Sequence, residues 1–204
     1  MTTAPRTAEG AAAVRRLRIG RFIADSFDHM EANVFLAGTD PVERPEVTGR
    51  FFGILAEYAA DGGGRVDYLL DQQDELVATV VWMDHTGDPP PIPDYDRRLA
   101  EATGVHLPRF QELDDVLHAH VPADKHWHLL FLAVRRDLWG NGLGTVLMSH
   151  GHREIDRQGH PVYLEATSSR SAALYRRHGY ADMDPFVVKV GPAPFYRLWR
   201  PASS

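Results

Sequence analysis

Five consecutive residues, Gly140-Asn141-Gly142-Leu143-Gly144, carry the clearest chemical signal in the chain. They sit between a nearly continuous apolar run, His128–Val134, and a segment of helical spacing, Thr145–Arg157. A glycine-rich turn leading from a strand into a helix makes an anion site. Glycine allows positive φ and close approach, the first helical N–H groups lack internal partners, and the helix dipole favours negative charge. A diphosphate is the natural occupant. The spacing excludes two kinds of nucleotide loop. A dinucleotide fingerprint needs a third glycine where Thr145 or Leu147 stands, and a P-loop needs a lysine between the last glycine and Thr145.

Other side chains have the chemistry of proton transfer. Glu165 interrupts the otherwise apolar stretch Val162–Ala166, and a carboxylate is rarely buried without a partner or a task. Desolvation would raise its pKa and make it a better base near neutrality; the alternative is a salt bridge to an arginine such as Arg170. His126 and His128 share one side of their strand by alternation, and either could take a proton from an amine, directly or through water. The alternative for them is two surface histidines at a strand's start. The same spacing recurs at His118/His120 and His150/His152, in or near predicted helices where residues two apart do not share a face, so no metal site is expected.

These residues need elements to position them. An amphipathic helix is predicted over Glu9–Phe27. Breaks follow at Asp40-Pro41 and Arg44-Pro45, then a second helix over Glu46–Ala60 ending at Gly62-Gly63-Gly64. Val66–Leu70 and Leu76–Trp82 read as an antiparallel hairpin, with Asp84 and His85 just beyond it. The proline-rich segment 87–93 is a stiff linker into a polar helical region over Asp94–His118. Strand His128–Val134, helix Thr145–Arg157 (Val146, Leu147 and Ile155 inward) and strand Val162–Thr167 form a βαβ unit with parallel strands. A short helix over Ser171–His178 and β segments at Ala181–Val190 and Phe195–Trp199 complete an α/β (α+β) fold, helices covering a mostly antiparallel sheet.

Four pieces in order resemble the GNAT superfamily of acyl-CoA-dependent N-acyltransferases. They are the strand ending Leu132-Ala133-Val134, the loop Trp139-Gly140-Asn141-Gly142-Leu143-Gly144, the strand Val162-Tyr163-Leu164-Glu165-Ala166, and the helix Leu174-Tyr175-Arg176-Arg177-His178-Gly179-Tyr180. The resemblance is nearest to the branch containing puromycin N-acetyltransferase. It covers about Trp127 to Tyr180; Trp139 replaces the family's usual Arg or Gln, and Arg136 a common proline. It implies one domain over 1–204, with an acceptor-shaping half, 1–120, and an acyl-CoA-binding core, 125–190.

It also implies roles. The backbone of Leu132, Ala133 and Val134 would pair with the pantetheine arm, and residues Trp139 to Thr145 would hold the pyrophosphate, mainly through the amides of Asn141 to Thr145. Ser171 would contact the cofactor arm. Tyr175 would be the general acid for the departing thiolate, and Glu165 or His128 the base. Trp82, Asp84, His85 and His126 are the expected acceptor contacts. The expected reaction is direct transfer of acetyl from acetyl-CoA, or another acyl group from its acyl-CoA, to the amine of a small molecule such as an antibiotic or natural-product intermediate. Acylation of a protein N-terminus or lysine, or a non-catalytic acyl-CoA sensor, are the alternatives.

Bulk properties agree. The 204 residues are 44% hydrophobic and 25% charged, ordinary for a globular protein. No apolar run approaches a membrane span, and the N-terminus lacks a signal-peptide core. Cysteine is absent, which excludes disulfides, thiolate metal sites and a cysteine nucleophile. The net charge of −6 argues against nucleic acid as a partner. Arginines cluster at Arg15–Arg21 and Arg170–Arg177, as local anion patches or solvated faces. A cytoplasmic enzyme is expected, and a homodimer is left open.

Overall fold

The computed structural model describes residues 4–203. One seven-stranded sheet organises the chain, in the order β1-β2-β3-β4-β5-β7-β6. The strands are β1 (Arg6–Thr7), β2 (Gly64–Leu70), β3 (Leu76–His85), β4 (His126–Val134), β5 (Val162–Ala166), β6 (Ala181–Val190) and β7 (Ala193–Arg200). Only β4 and β5 run parallel; every other pairing among the described residues is antiparallel.

Helices cover both faces. Helices α1 (Gly10–Arg16), α2 (Ile19–Phe27), α3 (Glu31–Ala37), α4 (Glu43–Tyr58), α5 (Tyr95–Thr103) and α6 (Leu107–His118) precede β4, whereas α7 (Leu143–Arg157) and α8 (Ser169–Arg177) follow it. Each face has its own core. The first joins α1–α6 to Val66, Val81, Met83, Ala133 and Phe195; the second joins α7 and α8 to Trp82, Leu129, Leu164 and Leu198. This is the alternation of a sheet buried on both sides.

The expected helices divide more often than periodicity suggests. The Glu9–Phe27 helix is two, separated where Arg18 adopts φ 52°. The break lets α2 cross α4 at a glycine contact, since a Cβ on Gly20 would lie 2.4 Å from the Gly49 carbonyl. Pro45 does not break the chain. It lies in the first turn of α4, where proline is tolerated, so that helix starts at Glu43. Gly104 divides the Asp94–His118 region into α5 and α6, and α3 and β1 were not anticipated. On α7, Leu147 and Ile155 face the core as expected, whereas Val146 is exposed and Met148 is buried in its place. Both arginine groups make surface ion pairs, Arg15 with Glu57 at 3.0 Å and Arg176 with Asp182 at 2.8 Å.

Candidate active site

The parallel pair β4/β5 is short. Trp127 pairs with Val162 and His128 with Tyr163, and beyond them the strands separate. Arg135 donates its N–H to the Val77 carbonyl at 3.0 Å, so alternation turns the backbones of Ala133 and Phe131 toward β3 and those of Leu132 and Val134 into the split. A register shift at Val81/Trp82 leaves Leu130 without a partner in β3. Such a bulge re-aims the strand beside the split. Leu132 and Val134 thus offer unpaired strand edge, as expected of them, whereas the backbone of Ala133 belongs to the β3 ladder. The Val134 carbonyl already accepts the indole N–H of Trp139 at 2.8 Å.

The glycine loop lies at the end of this edge. Gly140 and Gly142 adopt φ 83° and 79°, and Gly142 is the N-cap of α7. Gly144 therefore lies inside the first turn of the helix, which begins at Leu143. The Asn141 N–H is taken by the Leu138 carbonyl at 3.3 Å. This corrects its expected role as an anion donor. Among the described residues the N–H groups of Gly142, Leu143, Gly144 and Thr145 have no backbone acceptor, and they remain free to meet a phosphate. Trp139 contributes no cation of its own. Its ring is 5.2 Å from that of His29 and beneath the Arg136 guanidinium at 5.6 Å, so the aromatic and the arginine flank the loop together.

A cavity of about 500 Å³ starts beneath α2–α6 on one face of the sheet, passes through the split and ends at Ser171 and Tyr175 of α8. At the split, His128 and Glu165 both line it, with His128 Nε2 2.7 Å from Glu165 Oε2. The partner of Glu165 is thus a histidine on the neighbouring strand and not the arginine of the alternative reading. Burial alone would raise the Glu165 pKa. The field and hydrogen bond of His128, with Tyr163 and Arg197 nearby, outweigh it and hold the carboxyl below its ordinary value. This reverses the upward shift expected from desolvation. Glu165 is ionised at neutral pH, and its second oxygen, Oε1, is buried.

Arg197 and Tyr163 complete the surroundings. Arg197, the β7 partner of Glu165, is buried and donates to the Tyr163 hydroxyl (3.3 Å) and to the carbonyls of Pro185 (3.0 Å) and His120 (2.7 Å). Sequence reasoning passed over both, although an arginine amid Phe195, Leu198 and Trp199 is as conspicuous as Glu165 in β5. Tyr175 is buried against Tyr180, rings 5.7 Å apart, and burial pushes its pKa up, so the phenol is protonated at neutral pH. Ser171 is part of the α8 cap: its N–H donates to Ser168 Oγ at 3.1 Å and its hydroxyl to the Ser168 carbonyl at 3.0 Å.

Of the four expected acceptor contacts, one lines the cavity. His85 does so; it and Asp84 are the last residues of β3 and do not lie beyond it. His126 is buried behind His85, rings stacked at 5.0 Å, and its Nδ1 is tied to the Asp124 carbonyl at 2.6 Å. Desolvation and the neighbouring histidines bring the His85 pKa down to about 4. Trp82 and Asp84 alternate to the opposite face, and Trp82 is fully buried under α7 against Gly151. Neither reaches the cavity, which removes both as acceptor contacts.

Comparison with known proteins agrees with this geometry. Among solved structures, the chain resembles a protein from Corynebacterium glutamicum described as histone acetyltransferase HPA2 and related acetyltransferase, at 23% identity and TM-score 0.70, covering 100% of this chain and 98% of that one. It also resembles the polyamine N-acetyltransferase of Drosophila melanogaster (15%, TM-score 0.58, 96% and 98% covered). A third is arylalkylamine N-acetyltransferase 2 of Aedes aegypti (10%, TM-score 0.57, 98% and 100% covered). At these identities the likeness is one of fold. The sequence model of the acetyltransferase (GNAT) family matches residues 58–180, more than half of the chain, and spans the split, the glycine loop and α8. The chain belongs to the GNAT family of acetyltransferases.

Proposed function

We propose that the protein is an acyl-CoA-dependent N-acyltransferase that moves acetyl from acetyl-CoA to the amine of a small molecule by direct attack. The observation that carries this reading is the cavity through the β4/β5 split, because it joins a chamber beneath α2–α6 to Tyr175 and the free edge of β4. The residues fit the donor. Free N–H groups from Gly142 to Thr145 suit a pyrophosphate, and the Leu132 and Val134 edge suits the amides of a pantetheine arm. When bound, acetyl-CoA supplies the activated thioester.

The chain's own residues then have two proton tasks. A carboxylate can only accept, so His128 Nε2 is the donor in its contact with ionised Glu165. The pair acts as one base: the His128–Glu165 pair takes up the proton shed by the attacking nitrogen, directly or through water, and the two side chains share the resulting charge. As the C–N bond forms and the C–S bond breaks, the Tyr175 hydroxyl protonates the departing sulfur. Holding both reactants beside these groups lowers the barrier by removing the entropy of encounter.

We place the acceptor among small molecules, antibiotics or natural-product intermediates of the kind handled by the puromycin N-acetyltransferase branch, and the enzyme in the cytoplasm as one domain. The roofed chamber supports this over a protein substrate, whose tail needs an open groove. Acetyl-CoA titration with a thiol-release assay over small amines and peptides tests it. Turnover on small amines is expected. Faster turnover on peptides favours the protein-acylating reading, and tight acetyl-CoA binding without turnover on any amine means a sensor.

A further inference from the structure

The chamber beneath α2–α6 differs in character from the split it opens into. Five phenylalanines line it: Phe195, and a group made of Phe27, Phe51, Phe52 and Phe131. They pack at centroid distances of 6.0 Å (Phe27–Phe52), 5.5 Å (Phe51–Phe52) and 4.9 Å (Phe52–Phe131), and leucines of α3, α4 and α6 extend the same wall. Such a wall gains by covering hydrocarbon and by edge-to-face contact with an aromatic ring.

The charges are one-sided. Among the described residues no lysine or arginine lines the cavity, whereas Glu165 lies at the split and Asp114 and Asp115 on α6. A cationic nitrogen drawn to the split meets Glu165, which lines it. A carboxylate on the same molecule would be desolvated without a counter-ion, beside three acids.

We infer that the acceptor is a primary amine on an aromatic or branched hydrocarbon body, bearing no carboxylate. This rests on the N-acyltransferase reading and narrows it: free amino acids are excluded by charge, and the phenylalanine wall selects an amine with an apolar body over a polar aliphatic one.

Matched substrates test it. With saturating acetyl-CoA, kcat/KM is measured for 2-phenylethylamine, for phenylalanine, which adds only the carboxylate, and for spermidine. Binding of each amine to the protein with CoA is followed separately by calorimetry. The expected ratio of phenylethylamine over phenylalanine is about 100-fold or more, because the site leaves the carboxylate unpaired, and over spermidine about 10-fold. Phe52→Leu and Phe131→Leu, each checked for a native melting transition, are expected to raise KM for phenylethylamine about 10-fold with kcat little changed. Equal or better use of phenylalanine or spermidine overturns the inference while leaving the acyltransferase reading intact. Selective binding of phenylethylamine without turnover of any amine upholds the chamber's selectivity and sinks the acyltransferase reading. Absence of both binding and turnover for phenylethylamine overturns the inference as well.

Discussion

His128 on β4 and Glu165 on β5 are hydrogen-bonded at 2.7 Å across the one parallel pairing in the sheet, where the two strands begin to part. The contact ties the base to the mouth of the split. It also keeps Glu165 ionised inside the protein, because a buried carboxylate persists as an anion only when a partner offsets its desolvation.

Replacement of Glu165 by Gln separates this pair chemically while keeping the shape. We expect kcat to fall about 100-fold or more, within the range for a lost general base, with acetyl-CoA affinity unchanged. Steady-state thiol release and calorimetric titration measure the two effects. The carboxyl's folded pKa is below its unfolded value of 4.5, so its contribution to stability is present above that pH and is lost as pH falls through the folded value. The Gln variant is therefore expected to lack that part of the acid destabilisation seen in wild type by urea melts.

Tyr175→Phe removes a phenol that burial keeps protonated at neutral pH. The expected result is a drop in kcat of about 100-fold with little change in KM for acetyl-CoA, since the ring and its packing against Tyr180 survive. Unchanged turnover in this variant removes Tyr175 as the acid.

Gly142 holds φ 79° at the N-cap of α7 with nothing within 4 Å of a built Cβ. Gly142→Ala therefore meets no clash, only the conformational cost of a left-handed residue, about 1 kcal/mol. A loop that relaxes to avoid it re-aims the free amides. KM for acetyl-CoA is expected to rise about 10-fold while kcat at saturation stays near wild type.

His152 is buried on the inner face of α7, bonded to the Tyr180 hydroxyl at 2.8 Å, and desolvation, with Arg200 nearby, brings its pKa down from 6.5 to about 4. The unfolded chain binds this proton at higher pH than the folded chain does. Stability from the neutral ring is thus present above pH 6.5 and lost as pH falls from 6.5 toward 4. The loss from this site is at most about 3 kcal/mol. Unfolding free energies measured by denaturant across that window should fall steadily in wild type and more shallowly in His152→Gln.

Much of the cofactor half was legible from residue order, because its signals are local. An apolar run, positive-φ glycines and a helical repeat lie within about thirty residues of one another, and each follows from backbone sterics and hydrogen bonding near its own position. Glu165 stood out for the same reason, as a charge in an apolar strand. The acceptor half was less legible. Periodicity cannot show that Arg18 or Gly104 divides a helix, nor that β3 runs on past Trp82 to His85, where alternation then puts the two on opposite sides of the sheet.

The sequence by itself determined the βαβ core, the glycine turn that opens α7 and the kind of residue available for proton transfer. Only the tertiary structure decided that His128 and not an arginine meets Glu165, that β4 and β5 part after two pairings, and that phenylalanines from α2, α4 and β4 converge on one chamber. The physical reason is that strand register and helix crossing are set by packing between segments far apart in the chain. A single residue's shift in register would move Glu165 to the other face of the sheet.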